Sequence, residues 1–404
     1  MAKKNKPAIR FKEFTDAWEQ RKLGDCFTER CESMPDGELI SVTINDGIKK
    51  FSELGRHDNS NDDKSKYKKV CAGDIAYNSM RMWQGASGCS PYEGIVSPAY
   101  TVLTPNSGIN SKCMAYQFKL PATIHTFKIN SQGITSDNWN LKFPALSEIE
   151  IYVSPYEQEQ AKIAAYFANL DHLITLHQRK YDKLQVLKKA MLEKMFPKNG
   201  SSVPEIRFKG FTDAWEQRKL EDYLTVSAEK NTDNLYTKKD VLSVSGDFGV
   251  VNQIEFQGRS FAGASVSNYG VVHTGDVVYT KSPLKANPYG IIKANKGKPG
   301  IVSVLYGVYH TRENANADFI QMYFEQDARL NNYLRPLVNK GAKNTLLISD
   351  TDALEGEVCL APTFDEQKAI GQFFDSLDNL ITLHQRELEK LQNIKKSMLE
   401  KMFV

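Results

Sequence analysis

A segment of 27 residues occurs twice in this chain, and it constrains the fold more than any other feature of the sequence. Residues 170–196 and 377–403 are identical at 20 of 27 aligned positions. The copies start 207 residues apart, whereas solenoids and propellers repeat about every 20–50 residues. The chain is therefore predicted to be a two-fold internal duplication.

A second repeated block fixes the layout of the two halves. Residues 7–23 and 204–220 are identical at 15 of 17 positions, and the middle that follows the block is ten residues longer in the second half. The diverged middles keep a shared skeleton, for example GDIAYN at 73–78 and GDVVYT at 275–280. Short β-rich runs bounded by Gly, Asp and Pro turns predict a compact, mostly β domain with some helix in each middle.

Both repeated segments carry a heptad pattern typical of helices, in which core positions alternate in steps of four and three residues. A His and a Lys interrupt each pattern at equivalent places, and polar core positions tend to fix helix register and partner number. We interpret the pattern as a coiled coil; ordinary amphipathic helices, each packed on its own domain, are the alternative. The predicted seams are Ile163, Phe167, Leu170, Ile174, His177, Tyr181, Leu184, Lys188, Met191 and Met195, and Ile370, Phe374, Leu377, Ile381, His384, Leu388, Leu391, Lys395, Met398 and Met402.

The linker between the halves favours antiparallel helices. A helix over residues 157–196 is about 60 Å long at about 1.5 Å per residue, whereas the linker at 197–207 spans at most about 38 Å. Antiparallel pairing brings the end of the first helix beside the start of the second, so this linker suffices. We expect it to place the globular domains at opposite ends of a rigid rod.

The predicted fold class is α+β, with two β-rich domains joined by two long antiparallel coiled-coil helices and a pseudo-two-fold duplication. The predicted boundaries are 1–156 for the first domain, 157–196 for the central helix, 197–207 for the linker, 208–363 for the second domain and 364–404 for the C-terminal helix.

The sequence lacks the signatures of common enzyme classes. It contains no GxGxxG, GxxxxGK[ST], HExxH or GxSxG motif, and its seven histidines lack metal-ligand spacing. Asn287-Pro288-Tyr289 and Ser90-Pro91-Tyr92 faintly resemble the NPPY-type motif of adenine methyltransferases, but each lacks the second proline, so we interpret both as turns. His177 and His384 are expected to be packed spacers in the coiled coil. No residue is predicted to be catalytic or to bind a metal.

Two further features bear on the compartment. The six cysteines form no CxxC pair and are expected to be free thiols. No stretch approaches 18 consecutive apolar residues, and the basic N-terminus lacks the apolar region of a signal peptide. We therefore expect no membrane span and a cytoplasmic location.

Local charge is more informative than bulk charge. The net charge of +3 and the isoelectric point of about 8.3 do not by themselves indicate nucleic-acid binding. Residues 277–312, however, hold five lysines and an arginine but no acidic residue, and residues 94–136 hold three lysines and no acid. Such stretches can dock on a phosphate backbone and release counterions, although a solvated surface is the plainer interpretation of either alone.

Side chains that can read base edges are interleaved with these charges. Arg and Lys suit guanine, and Asn and Gln suit adenine. They differ between the halves while the skeleton around them persists, as two readers of different sequences would require. The predicted DNA-binding residues are Lys66, Lys68, Lys69, Asn78, Ser79, Arg81, Trp83, Gln84, Lys281, Ser282, Lys285, Asn287, Tyr289, Lys293, Lys296 and Lys343.

With these repeats in place, the chain resembles the specificity subunits of type I restriction-modification systems along essentially its whole length. The motifs that carry the resemblance occur in duplicate and in the same order. They are FTDAWEQRKL at 14–23 and 211–220, the GD turns at 73–74 and 275–276, and a P-x-x-x-EQ-x-x-I junction at Pro155, Glu159, Gln160 and Ile163 and again at Pro362, Glu366, Gln367 and Ile370.

The resemblance implies two target-recognition domains, each reading one half of a bipartite site in double-stranded DNA, and no chemistry in this chain. S-adenosylmethionine would bind to modification subunits that methylate adenine, and ATP and Mg would act on restriction subunits. Two quasi-equivalent helices would seat two modification subunits, with Leu173, Leu176, Leu380 and Leu383 as predicted partner-binding residues outside the seams. A stand-alone DNA adenine methyltransferase and a DNA-binding repressor remain the alternative functions.

Overall fold

The computed structural model describes residues 5–44, 47–58, 60–198, 200–340 and 346–404. The chain divides into two compact units. The first unit comprises Met1–Gln178 and Arg386–Val404, and the second unit comprises Arg179–Gln385. Each unit therefore contains one β-rich middle together with parts of both long helices.

The first unit is built mostly of short strands. Its strands are β1 (Glu19–Lys22), β2 (Phe27–Glu29), β3 (Ile40–Thr43), β4 (Gly47–Lys50), β5 (Lys68–Val70), β6 (Ile75–Asn78), β7 (Ser87–Cys89), β8 (Gly94–Val96), β9 (Tyr100–Pro105) and β10 (Glu150–Val153). Its helices are α1 (Leu23–Cys26), α2 (Ser111–Gln117), α3 (Pro121–Ile129), α4 (Phe143–Ser147) and the first part of α5 (Glu157–Lys194).

The second unit repeats this order with small additions. Its strands are β11 (Glu216–Lys219), β12 (Leu224–Val226), β13 (Leu242–Ser245), β14 (Gly249–Asn252), β15 (Gly270–Val272), β16 (Val277–Thr280), β17 (Ile291–Ala294), β18 (Gly300–Val302), β19 (Tyr306–Thr311), β20 (Asn339–Lys340), β21 (Leu346–Leu347) and β22 (Glu357–Leu360). Its helices are α6 (Gln253–Gln257), α7 (Ala317–Tyr323), α8 (Asp327–Leu334) and the first part of α9 (Phe364–Met402).

The two units share one sheet topology. The first unit has a four-stranded antiparallel sheet in the order β2-β9-β6-β7, and the second has the matching order β12-β19-β16-β17. Hairpins β3-β4 and β13-β14 and pairs β5-β8 and β15-β18 also correspond. The predicted duplication of a mostly β domain is confirmed.

Each sheet packs around a core rich in aromatic side chains. In the first unit the core includes Tyr77 and Phe118, and in the second it includes Tyr279 and Phe319, all with 2% exposure or less. Strand β6, which follows the GD turn of the first unit, is buried on both faces, because Ile75, Ala76 and Tyr77 are each inaccessible to solvent. A central strand that is buried on both faces gives a rigid base for the loop that follows it.

The long helices pair antiparallel within each unit. In the first unit, Phe167 of α5 stacks on Phe403 at 6.0 Å between ring centres, and Asp171 accepts a salt bridge from Lys395 at 2.5 Å. Residue numbers thus fall along one helix as they rise along the other. The second unit repeats the pairing, with Lys188 at 2.7 Å from Asp378 and Phe196 at 6.1 Å between ring centres from Phe374.

The predicted seams account for the burial of the helices. Ile163, Phe167 and Leu170 are buried in the first helix, and Phe374 and Ile381 are buried in the second. The interrupting Lys188 and Lys395 are neutralised by the aspartates named above. All four side chains are partly exposed, so each pair favours, by a modest amount, the register in which the lysine meets its aspartate.

The repeated block fastens the start of each long helix to its domain. Arg10 Nε and Nη2 donate to the Glu159 carboxylate at 2.5 and 2.8 Å, and Arg207 makes the same two bonds to Glu366 at 2.6 and 2.7 Å. Both carboxylates are fully buried. The glutamate of the EQ junction motif therefore has a structural role, because it accepts hydrogen bonds from the arginine of the repeated block.

The glutamine of the same motif ties the helix to the preceding loops. The Gln160 side chain accepts from the Asn110 backbone N–H at 2.8 Å and donates to the carbonyls of Gly108 and Ser154. Gln367 makes the corresponding set of three bonds in the second unit. A fully buried amide with all these partners fixes the loop that leads into α2 or α7.

Candidate nucleic-acid interface

The GD turn of the first unit is held by a buried carboxylate. Gly73 adopts a φ of +95°, a conformation that favours glycine. Asp74 accepts the backbone N–H of Cys71 at 2.8 Å and two bonds from Arg30, at 2.8 and 3.1 Å. Hydrogen bonding to Asp74 raises the pKa of Arg30 further above its usual range, so this clamp stays charged. The turn therefore fixes the position and direction of β6 and of the loop that follows it.

The second unit builds the same turn with a histidine. Gly275 has a φ of +93°, and Asp276 accepts the backbone N–H of His273 at 2.7 Å. His310 Nδ1 lies 2.7 Å from the Asp276 carboxylate, in the place that an arginine takes in the first unit. The scaffold is preserved although the partner of the aspartate has changed.

The first reading loop, residues 78–84, combines fixed and free side chains. Asn78 Oδ1 accepts the Met80 backbone N–H at 3.0 Å, and the buried Ser79 hydroxyl bonds to Thr101 at 2.8 Å. Arg81 is exposed, and Gln84 is half-buried. Asn78 and Ser79 therefore shape the loop, whereas Arg81 can reach a ligand.

Trp83 belongs to an aromatic pair that sequence reasoning missed. Its Nε1 donates to the Met80 carbonyl at 3.1 Å, and its ring meets the edge of Trp139 at 5.2 Å between ring centres. Lys128 Nζ lies 5.6 Å from the centre of the Trp139 ring. The lack of acid at 94–136 was the sequence signal that could have directed attention to Lys128 and to the tryptophan just beyond.

The predicted lysines of the first unit differ in availability. Lys66 is exposed. Lys68 and Lys69 form ion pairs with Glu29 at 3.2 Å and Glu32 at 3.0 Å. The Lys69–Glu32 pair is at the surface and contributes little in water, so Lys69 can exchange its carboxylate partner for a phosphate at small cost. The Lys68–Glu29 pair is more buried, with side chains 21% and 25% exposed.

The second reading loop, residues 281–289, is more constrained than the first. Lys281 pairs with Asp350 at 2.7 Å, and the largely buried Asn287 donates to Asp327 at 2.8 Å. Lys285 is exposed and Ser282 is half-buried. Asn287 therefore shapes the loop, as expected for a turn, and Lys285 is the side chain that extends from it.

The remaining predicted residues of the second unit lie away from this tip or take internal partners. Tyr289 is half-buried, and its carbonyl accepts the Tyr279 hydroxyl at 2.6 Å. Lys293 is 6% exposed and pairs with Glu325 at 2.6 Å. Lys296 pairs with Asp318 at 3.2 Å and also with Asp375. Both ammonium groups therefore have carboxylate partners within the unit, and their contact with DNA stays a prediction. Lys343 lies outside the described residues.

The predicted partner-binding leucines are exposed apolar side chains on the long helices. Leu173 and Leu176 are 40% and 39% exposed in the first unit, and Leu380 and Leu383 are 44% and 53% exposed in the second. Each pair lies three residues apart, a spacing that places both side chains on one helix face. Each unit therefore presents an equivalent apolar strip.

The described residues hold no group of three or more His, Cys, Asp or Glu side chains that could bind a metal ion. None of the described helices has the length and hydropathy needed to cross a bilayer.

Comparison with known proteins points to one family. A family model for the type I restriction modification DNA specificity domain matches residues 15–186. The putative type I restriction enzyme MjaX specificity subunit of Methanocaldococcus jannaschii is 24% identical over 418 residues, which cover 96% of this chain and 93% of that protein. The MjaVIII specificity subunit of the same organism is 22% identical and covers 83% of this chain and 81% of its own length.

A solved structure shares the fold across the whole chain. The type I restriction-modification S subunit from M. genitalium superposes with a TM-score of 0.61 at 14% identity, covering 99% of both chains. The likeness thus includes both units and is not confined to the part matched by the family model. The chain is therefore similar to type I restriction-modification specificity subunits, with residues 15–186 matched by the family model and the fold shared along both units.

Proposed function

We propose that this chain is the DNA-specificity subunit of a type I restriction-modification complex and that each unit reads one half of a bipartite site. One observation carries the proposal: the same four-stranded sheet occurs in both units and ends in reading loops with different polar residues. A shared scaffold with diverged tips suits two readers of different base sequences.

Arg81 and Lys285 are the reading-loop residues best placed to specify bases. Both are exposed, and within the described residues neither side chain has an ion-pair partner. A guanidinium group can donate two bonds to one guanine, and such a contact contributes about 1–3 kcal/mol of discrimination. Lys66, Lys68 and Lys69 would contact phosphates and contribute affinity that weakens with salt.

The paired helices would set the spacer between the half-sites. The Lys188–Asp378 and Lys395–Asp171 pairs favour one register of these helices. Half-sites read from the same face of DNA lie about 34 Å apart or a multiple of this distance. A longer pair of helices would therefore select a longer spacer.

The subunit would assemble with two modification subunits through the two apolar strips, Leu173 with Leu176 and Leu380 with Leu383. Restriction subunits would join the same complex. S-adenosylmethionine would bind to the modification subunits, and ATP and Mg would be used by the restriction subunits. A cytoplasmic location follows from a DNA target.

Adenine methylation in cells tests the proposal directly. The chain is expressed with its modification subunits, and methylated sites are found by single-molecule sequencing. We expect one bipartite motif, with Arg81→Ala changing only one half and Lys285→Ala changing only the other. Equal loss of both halves in either variant would contradict reading by separate domains.

The alternative functions predict different results with the isolated chain. A stand-alone methyltransferase would be labelled by photo-cross-linking to S-adenosylmethionine, whereas a specificity subunit would not. A repressor would bind its site tightly without partners, whereas we expect binding to strengthen when modification subunits are added.

A further inference from the structure

A closed loop in the first unit presents a bare aliphatic side chain. The loop, residues 132–140, is shut at its base by two backbone bonds between Gln132 and Asn140, at 3.0 and 2.8 Å. Gly133 has a φ of +148°, and a Cβ placed there would lie 2.6 Å from the Asn138 carbonyl oxygen. Only glycine fits this approach, so the loop folds back tightly on itself.

The next residue, Ile134, is 99% exposed. It is the most exposed large hydrophobic side chain among the described residues, and it gains nothing from packing. A single exposed apolar residue needs no explanation by itself. Here, however, the backbone bonds and the glycine hold the backbone on which the side chain stands in one conformation, which suits an element that binds a ligand.

The loop is attached to the first reading loop. The Leu141 backbone N–H donates to the Ser79 carbonyl at 2.9 Å. Trp139 meets Trp83 edge-on, and Lys128 lies over the Trp139 ring. The loop that carries Ile134 and the loop that carries Arg81 are therefore in direct contact.

The charge around the loop indicates the occupant. Three cationic side chains near the loop are exposed: Lys128 before it, Lys142 after it and Arg81 on the adjoining reading loop. The loop itself carries one acidic residue, Asp137. An apolar tip within a cationic surface suits duplex DNA, whose phosphates attract the charges and whose base steps accept an inserted aliphatic side chain.

We propose that Ile134 is a wedge that inserts between adjacent base pairs of the half-site bound by the first unit, and that loop 132–140 is a second specificity-determining element beside the first reading loop. The proposal rests on the DNA-specificity function proposed above. Unstacking costs least at flexible pyrimidine–purine steps, so the wedge would favour such a step without a hydrogen bond to either base.

Fluorescence of 2-aminopurine tests the insertion. The full complex with modification subunits is bound to duplexes that carry 2-aminopurine, in place of adenine, at successive positions of the first half-site. We expect enhanced fluorescence at one step because the base there is unstacked. Ile134→Ala should abolish the enhancement and weaken binding about tenfold. Ile134→Leu should retain the fluorescence enhancement and the affinity of the wild-type complex. An exposed side chain can be replaced without unfolding the unit.

Val304→Ala is the matched control. Val304 is a β-branched residue of the second unit with 68% exposure, so its replacement should leave fluorescence at the first half-site unchanged. If the wild-type complex reads a bipartite site but Ile134→Ala changes neither fluorescence nor affinity, the wedge is refuted and the specificity function stands. If the wild-type complex reads no such site, both proposals fail.

Discussion

Removing the arginine from the buried pair in the second unit would test how the repeated block stabilises that unit. The Glu366 carboxylate accepts two bonds from Arg207 and one from the Trp215 indole Nε1 at 3.3 Å. Arg207→Met keeps most of the apolar stem but removes both arginine donors. The Glu366 carboxylate would then remain buried with the Trp215 indole as its one remaining side-chain donor among the described residues.

The expected loss follows from the burial. Breaking a buried pair by removing one partner costs about 3–5 kcal/mol because a charge is left uncompensated. Since the Trp215 bond remains, we expect the lower end, about 3 kcal/mol. Replacing both residues, as in Arg207→Met with Glu366→Met, should recover most of this loss because no buried charge remains.

Hydrogen exchange read peptide by peptide is the appropriate assay, because a chain of two units need not unfold in one step. Arg207→Met should speed exchange in β22 and the first turns of α9 and leave β10 unchanged. Arg10→Met is the matched variant, and it should act only on the first unit. A loss below about 1 kcal/mol, or a double variant as unstable as the single one, would refute the reasoning.

Four other perturbations have defined outcomes. Reversing the charges in Lys188→Asp with Asp378→Lys should restore part of the thermal stability lost in either single variant, because Glu325, 3.8 Å from Lys188, would then face a carboxylate; additive losses would show that the pair does not contribute to register. Leu173→Asp with Leu380→Asp should reduce recovery of modification subunits in co-purification while leaving circular dichroism unchanged; full recovery would exclude the apolar strips as docking sites. Burial lowers the pKa of Lys119 to about 8, with a smaller contribution from Lys395. The unfolded chain therefore binds more protons above that pH, so the stability of the first unit should rise between pH about 8 and about 10.5 and Lys119→Met should flatten the rise. Burial raises the pKa of Cys26 to about 11, so iodoacetamide at pH 8 should label the exposed Cys31 and leave Cys26 unmodified until denaturant is added.

The GD turns and the lysines that follow the second one show which features a local sequence pattern can predict and which it cannot. The GD turns identified the strands that support both loops, because a glycine turn followed by a buried strand is a local pattern. Contact of Lys293 and Lys296 with DNA stays a prediction, and the structure gives them carboxylate partners that the sequence did not indicate: Glu325, Asp318 and Asp375. The nearest of these acids in sequence lies 22 residues away, so an acid-free stretch says nothing about which carboxylates the fold brings near.

The sequence by itself determined the duplication, the long helices and their seams, because identity between repeats and a heptad period are properties of neighbouring residues. It also predicted antiparallel pairing, since a short linker limits how far the chain can travel. Only the tertiary structure decided which charged side chains form ion pairs within each unit and which remain exposed. It placed Trp139 in contact with Trp83, 56 residues earlier in the chain, and left the Ile134 side chain exposed. Burial and charge pairing depend on contacts between distant residues, which no local pattern encodes.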